Sequence, residues 1–107
     1  MSPEISIRKV VNVIFHARKP HRSRELQGFI EALNEDEKAH LVAIAWVGRG
    51  AFEPEDYGQA VQTALTEATV PTADYLTGMP HLAENLESGL ESLGYDVTEA
   101  EEDFFDR

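Results

Sequence analysis

The sequence predicts an all-α protein: a compact, orthogonal-type bundle of about five short helices with an acidic C-terminal tail. Three observations carry that expectation. Apolar residues recur at three- and four-residue spacing in segment after segment, which is the repeat of a helix with one greasy face. Caps and breakers punctuate those segments, among them Asn34, Pro54, Pro71, Pro80 and Gly94. With 42% hydrophobic and 27% charged residues over 107 positions, the chain holds enough apolar material for one core and too little length for two.

The first helix is expected from about Pro3 to Arg18, capped by Ser2, with Ile7, Val10, Val11, Ile14 and Phe15 on one face. That face lies at a chain end, so its cover is either the rest of the molecule or a second subunit. Lys19-Pro20 interrupts it, because the residue before proline is pushed out of helical geometry. A second helix covers about Glu25 to Leu33, with Leu26, Phe29, Ile30 and Leu33 on one side.

Asn34 and Glu37 have the spacing of a capping box, and Glu35 and Asp36 suit the first turn. They open a third helix to about Val47, stopped by Gly48-Arg49-Gly50. Its centre is apolar on every side, as in a helix surrounded by neighbours; a buried strand is the weaker reading of AIAWV. Pro54 begins a fourth helix to about Ala68, with a stripe of Tyr57, Ala60, Val61, Ala64, Leu65 and Ala68. Thr72 caps a short helix, Ala73 to Thr77. Pro80 opens the last, with Leu82, Leu86, Leu90 and Leu93 aligned and Gly94 as its stop. The third helix and the last are expected to be central. One domain, 1–95, is expected, with 96–107 an acidic tail that is loosely docked or disordered.

Composition excludes several chemistries. There is no cysteine, which removes thiolate metal sites, disulfides and thiol catalysis. The opening MSPEISIRKV lacks the features of a secretory leader, and LVAIAWV is far short of the roughly 20 apolar residues of a membrane span. A cytoplasmic location, no membrane contact and no cofactor are the expectations. The formal net charge of −11 is unevenly placed: six cations face one acid in residues 1–24, and three cations face 19 acids beyond.

ISIRKV (Ile5–Val10), ALNEDEKAHLVAIAWVGRG (Ala32–Gly50) and YLTGMPHLAENLESGL (Tyr75–Leu90) resemble bacterial proteins grouped as domain of unknown function 3775. The matching pattern is L-N-x-D-E, then L-V-A-x-x-W-x-G-R-G, then Y-L-x-G-x-P-x-L, in register along residues 5–94. The resemblance implies a compact helical domain and assigns it no activity.

Glu37 and His40 have the Glu-x-x-His spacing of carboxylate-bridged metal bundles, with His81 and Glu84 a mirror-order pair. Capping already explains Glu37, so a metal site there is the weaker reading. No nucleophile elbow, phosphate loop or HExxH occurs, so no catalytic set is assigned. Ser88-Gly89 lies inside a helix, and Asp36 with Glu37 serves as acid and base only inside a cleft.

Arg18, Lys19, Arg22 and Arg24, with His21, form the one basic cluster. Nucleic acid is disfavoured there by the overall negative charge and the lack of a stacking aromatic. The cluster is expected to be solvated or paired with tail acids such as Glu99, Glu101, Glu102 and Asp103. Arg49, at a helix end beside Trp46, either bonds terminal carbonyls or receives a carboxylate or phosphate near Trp46 and Tyr75. Two functions remain: a non-catalytic interaction or adaptor domain, monomer or homodimer, with a protein partner; or a small enzyme or metal-binding protein using Glu37, His40, Arg49 and Tyr75. A concave pocket of converging polar groups with perturbed carboxylates would mark the second, a flat exposed patch the first.

Overall fold

A computed structural model describes residues 3–19, 24–67 and 71–96. Its elements are α1 (Ile7–Ala17), α2 (Arg24–Glu31), α3 (Glu35–Arg49), a 3₁₀ turn (Pro54–Asp56), α4 (Tyr57–Thr66), α5 (Thr72–Thr77) and α6 (Leu82–Ser92). The described residues contain no strand, so the alternative reading of AIAWV is rejected. The architecture is an all-α bundle.

α3 is the axis of the molecule. Ala39 through Ala45 and Val47 are all buried, as expected of a segment apolar all round. Its start is the capping box: the Asn34 side chain accepts the Glu37 N–H at 2.7 Å, and Glu37 accepts the Asn34 N–H at 3.0 Å. The expected stop at Gly48 is corrected. Gly48 stays helical and Gly50 ends the helix at φ 86°, with the Ala51 N–H reaching back to the Trp46 carbonyl at 2.9 Å.

Gly48 is inside the helix because α6 passes against it. A Cβ on Gly48 would lie 1.7 Å from the Asn85 carbonyl oxygen, and one on Gly89 would lie 2.0 Å from that of Ile44. These two glycines let α3 and α6 approach backbone to backbone, and the two helices form the most extensive pair in the fold. α4 packs on another side of α3, α1 lies on α6 and α2, and α5 joins α2 to α3.

Several other boundaries shift. α1 begins at Ile7, capped by Ser6, whose side chain accepts the Lys9 N–H at 3.2 Å. Residues 3–6 ahead of it are not helical, and Ile5 is buried there; Ser2 lies outside the described residues. The face of α1 is covered within the molecule, with Val10, Val11, Val13 and Ile14 buried and Phe15 exposed. Pro54 opens a 3₁₀ turn and α4 follows from Tyr57, so the fourth segment is not one helix. Its stripe is buried at Tyr57, Ala60 and Val61 and exposed at Leu65; Ala68 lies outside the described residues.

Thr72 is the first residue of α5 and Pro71 holds the cap position, so Thr72 is no cap. Pro80 sits in the turn before α6, and His81, at φ 57°, is its N-cap. Gly94 ends α6 as expected, at φ 97°, with the Tyr95 N–H bonded to the Leu90 carbonyl at 2.9 Å. No helix among the described residues is long and apolar enough to cross a membrane. The tail beyond Asp96, with its expected pairing to the basic cluster, lies outside the described residues.

Candidate functional site

Two turns of α3 separate Val42, Trp46 and Arg49 along one face, and that face looks across an open gap. Ala51 and Phe52, folding back after the Gly50 stop, close one end of it. Thr63, Ala64 and Glu67 of α4 and its cap form a second wall, and Thr72 and Tyr75 of α5 a third. The resulting pocket has a volume of about 370 Å³.

Three of its ten lining residues are aromatic. Trp46 and Phe52 stack with centroids 5.7 Å apart and planes at 24°. The Trp46 indole N–H donates to the Tyr75 hydroxyl at 2.9 Å, tying α3 to α5. Trp46 and Tyr75 are each half-buried, with one side on the core and the other toward the pocket. Arg49 is exposed at the helix end and makes no ion pair among the described residues. It is the one cation lining the pocket, and Glu67 the one carboxylate.

The structure thus brings Trp46, Arg49 and Tyr75 together on one pocket. It does not add Glu37 or His40 to them. Glu37 holds the α3 cap with one oxygen and Lys9 with the other, at 2.6 Å. The Lys9 hydrogen bond, then the Asn34 backbone N–H, keeps the Glu37 carboxyl below the usual carboxylate range. His40 is buried, its Nδ1 2.6 Å from the Tyr57 hydroxyl and 3.2 Å from the Glu4 backbone nitrogen. A backbone N–H can only donate, so Nδ1 accepts, Tyr57 donates to it, and the ring proton sits on Nε2, 3.4 Å from the Glu4 carboxylate. Burial pushes the Tyr57 phenol far above its ordinary value, which keeps it a donor. His81 and Glu84 form an exposed pair at 3.8 Å. Among the described residues no group of three or more His, Asp or Glu side chains is placed to hold a metal ion.

Two members of the basic cluster have acidic partners among the described residues. Arg18 pairs with Glu87 of α6, and Lys19 with Glu25 at 3.6 Å while lying 5.1 Å above the Phe15 ring. Arg24 opens α2 and is exposed; Arg22 lies outside the described residues. The lining residues that sequence reasoning missed are chiefly Phe52, Thr63 and Glu67. An aromatic two residues after a glycine stop was the one local signal for Phe52. Nothing local marks the other two.

The family model described as protein of unknown function (DUF3775) matches residues 23–95. The chain belongs to the DUF3775 family. The match spans α2 through Tyr95 and includes every lining residue of the pocket; it leaves out α1, so the ISIRKV block falls outside it. No curated protein and no solved structure matches the chain. For this DUF3775 member the pocket is therefore a site within the family's own segment, formed by three of its helices and one loop.

Proposed function

We propose that this DUF3775 chain is a non-catalytic interaction domain that takes an aromatic or large apolar group of a partner protein into the pocket at Trp46, Phe52 and Tyr75. The space is concave, not the flat patch expected of an interaction domain, so the observation that carries the reading is its lining: three aromatic side chains with one unpaired cation at the edge. Such a surface buries an anchor side chain and orients it by a single charge. Ligand pockets run from about 300 to 1,000 Å³, so about 370 Å³ suits one anchor group rather than a bulky cofactor.

Chemistry is the poorer fit. The polar lining groups are a guanidinium, a carboxylate and the hydroxyls of Thr63, Thr72 and Tyr75, with no imidazole among them. The carboxylate held below its usual range, Glu37, is an α3 cap away from that lining. Of the four residues of an enzymatic reading, Arg49 and Tyr75 share the pocket and Glu37 and His40 do not.

Peptide libraries displayed with free C termini and as internal loops test the proposal. Selected peptides are expected to share an aromatic or large apolar anchor. They are expected to bind at least about tenfold more weakly to Thr63→Trp, which fills the pocket from a half-buried position of α4. Selection that is indifferent to Thr63→Trp, or yields no common anchor, rejects the reading.

A further inference from the structure

Resting on that reading of the pocket, we infer that its ligand is an aromatic group carrying a single carboxylate, with the ring against Trp46 and Phe52 and the carboxylate on Arg49. The donors at the site define the acceptor. Arg49 presents a planar fork of N–H groups that matches a carboxylate in two parallel hydrogen bonds, and no acid among the described residues occupies it. Tyr75 adds a second donor for a specific reason. Its oxygen already accepts the Trp46 indole N–H at 2.9 Å, so its own hydroxyl hydrogen is free to point at another acceptor. Both residues line the same pocket, and an incoming carboxylate satisfies both.

Glu67 sets the charge. It is the one acid of the lining, and it opposes a second negative charge on the ligand. With a formal net charge of −11 on the whole chain, a dianion such as a phosphate monoester meets further repulsion, whereas a monocarboxylate is neutralised by Arg49 alone. The body of the ligand follows from the walls. Trp46 and Phe52 stack on each other with their planes 24° apart, and with Val42, Ala51 and Ala64 they line an apolar surface that favours a flat aromatic group. A free arylalkanoic acid and the C-terminal aromatic residue of a protein present the same chemistry.

Trp46 is the one tryptophan of the chain, so its indole N–H gives a single resonance that reports the pocket directly. The ¹⁵N-labelled full chain is titrated with 3-phenylpropionate, 3-phenylpropionamide, phenyl phosphate, and acetyl-Ala-Ala-Phe ending in a free acid or an amide. The expected result is a saturable shift of the Trp46 indole signal by the acids, at least about tenfold tighter than by the matching amides. Phenyl phosphate is expected to bind no more tightly than phenylpropionate. In Arg49→Gln the acid-over-amide preference should fall to about one while the backbone amide spectrum away from the pocket is preserved, which separates lost charge recognition from a damaged fold. A peptide acid tighter than phenylpropionate assigns the chain-end source, and equal affinities assign the free acid. Equal binding of acid and amide, tighter binding of the phosphate, or a preference that survives Arg49→Gln overturns the carboxylate inference and leaves the pocket as a binding site. No shift with any probe overturns the ligand class, and the library selection on Thr63→Trp then decides the broader reading.

Discussion

Single atoms decide how closely two helices lie. At Gly48 and Gly89 a methyl group would enter space held by backbone of the partner helix, and backbone cannot move aside as the end of a flexible side chain can. Gly48→Ala or Gly89→Ala is expected to cost about 2 kcal/mol or more, at the upper part of the range for overpacking. Gly28 is the contrast: it lies in α2 with open space around it. There Gly28→Ala should stabilise by roughly 0.5–1 kcal/mol through helix propensity. Urea denaturation of the three variants checks both signs.

His40 and Tyr57 give a second test at this scale. The phenol's value is raised by burial first, so its contribution to stability is fully present below the free value of about 10 and is lost as pH rises beyond it. Tyr57→Phe should cost about 1–2 kcal/mol at neutral pH, since it leaves the buried His40 without its hydroxyl donor, and it should flatten the alkaline limb of the stability profile. Thermal unfolding from pH 7 to 11 reads both effects.

Trp46 and Arg49 stood out in the sequence, as an aromatic near a helix stop and a cation among glycines, whereas the closeness of Tyr75 to them is a product of the fold. The role of His40 was not readable in the same way. Its spacing from Glu37 suggested a shared ligand, whereas burial turns its ring toward Tyr57 and Glu4.

At the level of the helices, punctuation was the readable part. Asn34 with Glu37 and the glycines at 50 and 94 mark ends that the fold uses, because capping hydrogen bonds are local and follow from spacing alone. The helical state of Gly48 was not readable, since it depends on α6 passing against it; the start of α1 was missed although its Ser6 cap is local, because Ser2-Pro3 offered an equally good local start. The same capping box carries an acid limb. Glu37 is held below the usual carboxylate range, so its contribution is complete above the free value of about 4.3 and fades as pH falls through the lowered one. Glu37→Gln is therefore expected to lose stability near neutral pH and to show a shallower decline on acidification. Urea midpoints of both proteins between pH 3 and 7 measure the difference, and parallel curves would reject the assignment.

At the scale of the molecule, the all-α class and the central place of α3 and α6 followed from periodicity, and the gap between α3, α4 and α5 did not. A pocket is the space left between three helices that meet elsewhere, and no single segment's pattern encodes that. The walls come from Val42 to Tyr75, so Glu67 and Phe52 become neighbours of Trp46 only once α4 and the loop after α3 have folded back.

The α6 helix covers α3 along its glycine seam and also carries α1, yet it is the last helix of the described chain. A ribosome making this protein therefore exposes the apolar stretch from Leu41 to Val47 before its cover exists. At an ordinary synthesis rate of roughly 5–20 residues per second the exposure lasts on the order of seconds. Through that interval the nascent polypeptide is a target for holdase chaperones, and a stall just short of Leu82 leaves a product prone to aggregate.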